Sequence, residues 1–342
     1  MKRLQSLLGP ILAAAGLALA SGCATVDFVT GQEVQNMYSI DEEIQLGREF
    51  YVETVKELKK EKAPIDQDPV RVKLVRELTD HIVAVADATN LDYKATFVGD
   101  PDFVNAYALP GGNILVFEGL WNPKEGLVRT VDELVAVVAH EIAHVNCRHS
   151  TEAMTREMLP NLLLAGAAIW AEIEEEEDAQ LILAGAMIAY EGFIVTKYSR
   201  ADELEADRVG MLYMAKAGYD PAAAPRVWER LAGASDSQLE KVLSIFSTHP
   251  RDFKRAKELR KHLPEAQALY AAAPVQRDGS KKLADRPQHP PAAVELTGPA
   301  VRGRTRRRVV PRLEHAVGRG LVERGQASKD ARCGVGATDP GQ

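Results

Sequence analysis

Cysteine is scarce. Cys23, Cys147 and Cys333 are the only three in 342 residues, too few for a disulfide framework or a cysteine zinc site. No apolar run approaches the about 20 residues that a membrane-spanning helix needs. The N-terminal stretch from Leu7 to Ala20, about 14 residues, falls instead in the range of a signal-peptide core. An excess of positive charge is also missing. The formal net charge is −7, and no nucleic-acid partner is expected from it. Hydrophobic residues make up 46% of the chain, enough to bury a sizeable core.

Against this background one pentapeptide stands out, His140-Glu141-Ile142-Ala143-His144. With 8 His in the chain, a chance match to His-Glu-x-x-His is expected about 0.02 times. It ends an apolar run, Val131 to Ala139, which the capping-box pattern Thr130-Val131-Asp132-Glu133 opens as a helix. Residues four apart on a helix share a face. His140 and His144 can therefore hold one metal ion, and Glu141 can take a proton from a water activated there. Two histidines and a glutamate on a buried helix need such a reason to be there.

A catalytic zinc usually takes a third protein ligand. The pattern with a later His on the same segment fails, because Cys147 and Ser150 stand where it needs Gly and His. Glu203 and Asp207 on a later stretch are four apart, which lets Glu203 bind metal while Asp207 orients a ligand imidazole. Glu205 lies about 200° round that helix and is expected to face a cation or solvent. Taken alone, the stretch reads equally as a charged, solvated helix face. Cys147 is expected to be a small buried residue rather than a ligand.

Three stretches, Asn105-Ala-Tyr-Ala-Leu-Pro-Gly-Gly112, His140 to His144, and Ser199-Arg-Ala-Asp-Glu-Leu-Glu-Ala-Asp207, together resemble the HtpX-like and CAAX-prenyl-protease-like zinc metallopeptidases, within the gluzincins. A shorter one is Ser247-Thr-His-Pro250, followed by Arg255. Within that family the chain is similar to the BepA- and LoiP-like bacterial envelope lipoprotein peptidases. The resemblance covers roughly residues 39–262. It implies one zinc ion on His140, His144 and Glu203, with Glu141 as general base. It also implies that His249 approaches the site, to stabilise an oxyanion or to occupy the open zinc position at rest. The implied fold is α+β, a mostly helical zincin-like domain with a small mixed sheet and an edge strand beside the zinc helix. In such peptidases the edge strand takes the substrate as an added strand. That role falls to Asn105–Leu109 or to Asn113–Val116, with Asn105, Ala106, Tyr107, Gly111 and Gly112 as candidate substrate-binding residues. Implied partners are unfolded or misassembled envelope proteins. The alternatives are a chaperone-like module that rarely cleaves, or a structural zinc domain with a closed four-ligand site.

The N-terminus supplies an address. Lys2 and Arg3, the apolar stretch and then Leu19-Ala-Ser-Gly-Cys23 read as a signal peptide, 1–22, ending at a lipidated Cys23. Ala24 rather than Asp suggests an outer-membrane anchor facing the periplasm. Residues 23–38 read as an anchored linker, 39–270 as the peptidase domain and 271–342 as a Pro/Arg-rich disordered tail. Within the domain, helices are expected over about 39–62, 69–89, 221–231, 237–246 and 251–263. Strand patterns cover 94–99, 103–109 and 113–118. The apolar segments Leu162–Trp170 and Leu181–Tyr190, parted by acidic residues 172–178, read as a helical hairpin covering the site, resting near a membrane, or packed in the core.

Overall fold

The computed structural model describes residues 24–27, 29–31, 33–87, 91–121, 126–157, 198–234, 242, 244, 245, 249 and 254–283. Four expectations lie outside the described residues: the signal peptide with Cys23, the 162–190 hairpin, most of 237–246, and the tail beyond 283. Among the described residues no helix is long and apolar enough to cross a membrane.

The fold is α+β and mostly helical, around one small sheet. Helix α1 (Ile40–Lys60) starts at a complete Ser39/Glu42 capping box, with acidic residues in its first turn and Lys59 and Lys60 in its last. Helix α2 (Pro69–Val83) starts at Asp68, whose carboxylate accepts two backbone N–H bonds, with Pro69 in its first turn. It stops six residues short of the expected end. Three strands follow: β3 (Lys94–Val98), β4 (Ala106–Leu109) and β5 (Asn113–Phe117), in the order β3-β5-β4. β3 runs parallel to β5, and β4 runs antiparallel to it with Ala106 opposite Val116 and Leu109 opposite Asn113. The pattern Asn-Ile-Leu-Val-Phe of β5 has no polar alternation because this strand is central and buried on both faces. That excludes Asn113–Val116 as an edge strand. β4 is shorter than expected, since Val104 is held by the Ser244 hydroxyl through both its N–H and its carbonyl.

The sheet divides the core by strand alternation. Ala95, Phe97, Ala106, Ala108, Ile114 and Val116 face α2 and the two helices of the site. Val98, Leu109, Leu115 and Phe117 face Phe50 and Leu58 of α1. The site helices are α3 (Val131–Asn146) and α4 (Arg200–Lys216), and they make the most extensive helix pairing among the described residues. Helices α5 (Ala223–Ala232) and α6 (Arg255–Ala272) pack beside them, and α6 continues through Pro264 well past residue 263.

Packing does not stop at residue 270. Residues 273–283 turn back, and the Gly279 and Lys281 carbonyls accept the N–H groups of Asp132 and Val131 at 2.8 and 3.0 Å. These first-turn donors have no partner within α3, so the returning segment caps the helix that carries the His-Glu-x-x-His motif. Leu283, 2% exposed, anchors the segment. Residues 24–38 likewise do not form a free linker. Strands β1 (Ala24–Val26) and β2 (Glu33–Gln35) pair antiparallel. Asn36 and the backbone of Met37 then bond to the hydroxyls of Thr151 and Thr155 at 2.9 Å each.

Candidate active site

Helix α3 presents His140, Glu141 and His144 where β4, α4 and the segment carrying His249 converge. Thr130 caps it as expected, accepting from the Glu133 N–H. Glu133 does not complete a capping box. Its carboxylate takes the Arg129 N–H and a bidentate ion pair from Arg230 instead. Helix α4 is opened by a true capping box between Ser199 and Asp202. It approaches α3 closely because residue 210 is glycine. A Cβ there would sit 2.8 Å from the His140 backbone nitrogen.

The sequence candidates His140, His144, Glu203 and His249 are brought together. One donor atom from each lies within 4.8 Å of the others, and all four side chains are buried. The His140 and His144 Nε2 atoms are 3.0 Å apart. From Glu203, Oε2 lies 3.5 Å from His140 Nε2 and Oε1 lies 3.6 Å from His144 Nε2. A tetrahedral ion with arms of about 2.0–2.1 Å needs its donors roughly 3.3–3.4 Å apart, so these spacings fit a zinc ion. The tautomers fit as well. His140 Nδ1 bonds Asp207 Oδ1 at 3.0 Å, which leaves its Nε2 free of a proton and turned toward His144 Nε2. Two imidazole nitrogens and a carboxylate converging in a buried place suit a cation between them.

Asp207 lies behind His140. A residue to which no role had been given holds it there. Arg255, 1% exposed, forks onto Asp207 through Nε at 2.7 Å and Nη2 at 2.6 Å. Its Nη1 pairs with Glu203, and its guanidinium stacks on Trp228, 3.4 Å from the ring centroid. Burial would raise the Glu203 carboxyl, but His249 and Arg255 hold it well below the usual range. Burial pushes His144 well below the ordinary histidine value, and the neighbouring His140 adds to the effect.

Glu141 lies at the open edge of the sheet. Its Oε2 accepts the Ala108 N–H at 2.9 Å, and its Oε1 is 3.3 Å from His249 Nε2. The other nitrogen of His249 bonds Glu203 Oε1 at 2.9 Å. His249 thus bridges the two carboxylates. Burial would lower it, and Glu203 and Glu141 raise it to about 10. The Tyr198 ring stacks on His144 at 3.8 Å.

The substrate candidates separate. Ala106 lines the cavity in front of Glu141. Asn105 is buried at the mouth of β4, its amide reaching the Ser244 carbonyl at 3.4 Å. Tyr107 points away, its ring packed against Phe117 on the α1 side. Gly111 and Gly112 pack closely against Ile44 of α1 and against Tyr93. Both have positive φ, and a Cβ would meet Ile44 Cα at 2.7 Å or Tyr93 Cα at 3.3 Å. They form a tight turn under α1, and their glycines serve close packing. The cavity itself is lined by Ala136, Val137, Met211, Val227, Trp228 and Ile245 beside His140 and Glu141, an apolar recess at the polar site.

Sequence reading assigned nothing to Arg255, Trp228, Tyr198, His149 or Gly210. Only Arg255 carried a signal, by following the His249-Pro250 motif.

The family described as Peptidase family M48 matches residues 69–263. The mitochondrial metalloendopeptidase OMA1 of Schizosaccharomyces pombe is 32% identical over 268 residues, covering 78% of this chain and 74% of that protein. The beta-barrel assembly-enhancing protease of Yersinia pestis is 29% identical over 225 residues, 65% of this chain but 44% of that protein. Its namesake from Escherichia coli K12 is 26% identical over 223 residues, again spanning less than half of that relative, 43%.

Proposed function

The chain belongs to peptidase family M48 and is a metalloendopeptidase, and from that premise we propose that it uses one zinc ion, held by His140, His144 and Glu203, to cleave unfolded or misassembled proteins of the bacterial envelope. The observation that carries this reading is the convergence of those three side chains beside Glu141 at the open edge of β4. When bound, zinc would supply Lewis acidity, lowering the pKa of water toward about 7 and polarising the scissile carbonyl.

The protein's own groups do the rest. Glu141 takes a proton from the attacking water and returns it to the leaving amine nitrogen as the C–N bond breaks. The Ala108 N–H fixes one oxygen of Glu141, and the other lies beside His249 Nε2. His249, between Glu141 and Glu203, is placed to donate to developing negative charge on the carbonyl oxygen, a contribution of order 10²–10³ in rate for one donor.

Substrate class follows from backbone and cavity. Strand alternation turns the N–H and C=O of Ala106 the same way as those of Ala108, toward the open edge. An extended peptide can pair there as an added strand, which reads backbone rather than sequence. The apolar recess accepts a nonpolar side chain beside the scissile bond. Unfolded protein exposes both. That two relatives are proteases named for enhancing beta-barrel assembly favours envelope substrates.

The domain alone does not assign a compartment, because mitochondrial relatives share it. The basic start, the apolar stretch and Cys23 favour an outer-membrane lipoprotein facing the periplasm. A lipid on Cys23 would lie next to β1, which would seat the domain on the membrane surface.

A second reading, a gated and rarely active module, is favoured by one observation. His249 engages both Glu141 and Glu203, a contact that would close the site at rest. Glu141→Gln should retain its zinc and lose cleavage of a reduced, unfolded substrate by at least about 10²-fold. Cleavage at the wild-type rate would refute Glu141 as base. His249→Ala should lower turnover, whereas a rise would favour the gate.

A further inference from the structure

Glu205, expected to face a cation or solvent, is partly exposed and also reaches a buried imidazole. Its Oε2 lies 3.1 Å from His149 Nε2, and His149 Nδ1 lies 2.9 Å from His144 Nδ1. His149 is 1% exposed. On an uninterrupted helix residues 144 and 149 stand about 140° apart and could not meet. They meet because α3 ends at Asn146 and Arg148 takes a left-handed conformation, φ 57°. That turn, uncommon for a residue with a side chain, is held by a buried ion pair between Arg148 Nε and Glu43 Oε2 at 2.8 Å. The chain thus spends a strained residue and a buried pair on bringing a second imidazole behind His144.

We infer that His149 and Glu205 are positioning residues for His144, forming a relay Glu205–His149–His144 that fixes the tautomer and ring orientation of a metal ligand. The inference rests on the zinc reading above. Only one proton arrangement satisfies the geometry. A metal on His144 Nε2 needs its proton on Nδ1, which donates to His149 Nδ1. His149 then carries its own proton on Nε2 and donates to Glu205. Each ligand imidazole is so backed by a carboxylate, His140 by Asp207 directly and His144 by Glu205 through one imidazole. Such partners are worth about 10–100-fold in metal affinity. A competing reading makes Cys147, His149 and Glu205 a second metal site, since their donor atoms also lie within 4.8 Å. Against it, both His149 nitrogens are already engaged, and burial pushes the Cys147 thiol up, away from the thiolate that a metal needs.

The test is zinc affinity by chelator competition on the full chain, with stoichiometry and the melting temperature of the metal-free form. Glu205 is 34% exposed at its side chain, so Glu205→Ala and Glu205→Gln should fold. Both variants, and His149→Ala, should weaken zinc binding about 10–100-fold, with the metal-free melting temperature of the Glu205 variants unchanged. Cys147→Ala should leave affinity and a stoichiometry of one intact. ¹⁵N NMR of wild type should show His149 protonated at Nε2, and Glu205→Ala should redistribute that proton. Unchanged affinity in Glu205→Ala and His149→Ala overturns the relay, as does a second zinc lost on mutating Glu205 or Cys147. Wild-type protein that binds no zinc at all would instead refute the function proposed above.

Discussion

At the scale of single residues, the site is held together by one guanidinium. Arg255 satisfies both oxygens of Asp207, pairs with Glu203 and covers the face of Trp228. Removing it leaves two buried carboxylates with only their imidazole partners, His140 and His249, and breaking a buried pair from one side costs about 3–5 kcal/mol. Arg255→Ala should lower unfolding free energy by about that amount in denaturant titrations. Arg255→Lys should recover little of it, because an ammonium cannot reproduce the fork or the stack. A loss below about 1 kcal/mol for Arg255→Ala would mean that Asp207 is held by His140 alone.

At the scale of elements, the decisive contact is between α3 and α4, where Gly210 lies against the His140 backbone. Gly210→Ala must push the helices apart or strain them, at about 1–3 kcal/mol. Because Glu203 rides on α4 and His140 on α3, the same change should weaken zinc binding more than a destabilised but distant site would. A paired measurement of unfolding free energy and zinc affinity checks this. Unchanged affinity would show that α4 re-registers without moving Glu203.

The elements were unevenly legible in the sequence. Periodicity and caps located α1 and α3 closely, since Ser39, Glu42 and Thr130 are local signals that the fold uses. The His-Glu-x-x-His spacing lay open for the same reason, four residues being one helical turn. The rest depends on contacts distant in sequence. Gly279 and Lys281 cap α3 from a stretch whose composition read as tail, because a carbonyl cap leaves no side-chain signature. His149 was hidden because its role needs a helix break that Arg148 makes without glycine. Which strand formed the edge turned on pairing order, and the continuous apolar pattern of β5 is ambiguous between core and edge.

At the scale of the whole molecule, groups from residue 106 to residue 255 meet at one buried centre, with the sheet edge on one side and an apolar recess on another. The central claim is that this centre is a single zinc site with nitrogen and oxygen ligands. X-ray absorption at the zinc edge, on protein carrying one equivalent of the metal, tests it most directly. The expected spectrum shows only light scatterers at about 2.0–2.1 Å, two of them with the outer-shell pattern of imidazole, and loses one imidazole in His140→Ala. A sulfur scatterer at about 2.3 Å, or a spectrum unchanged by that substitution, would contradict the account.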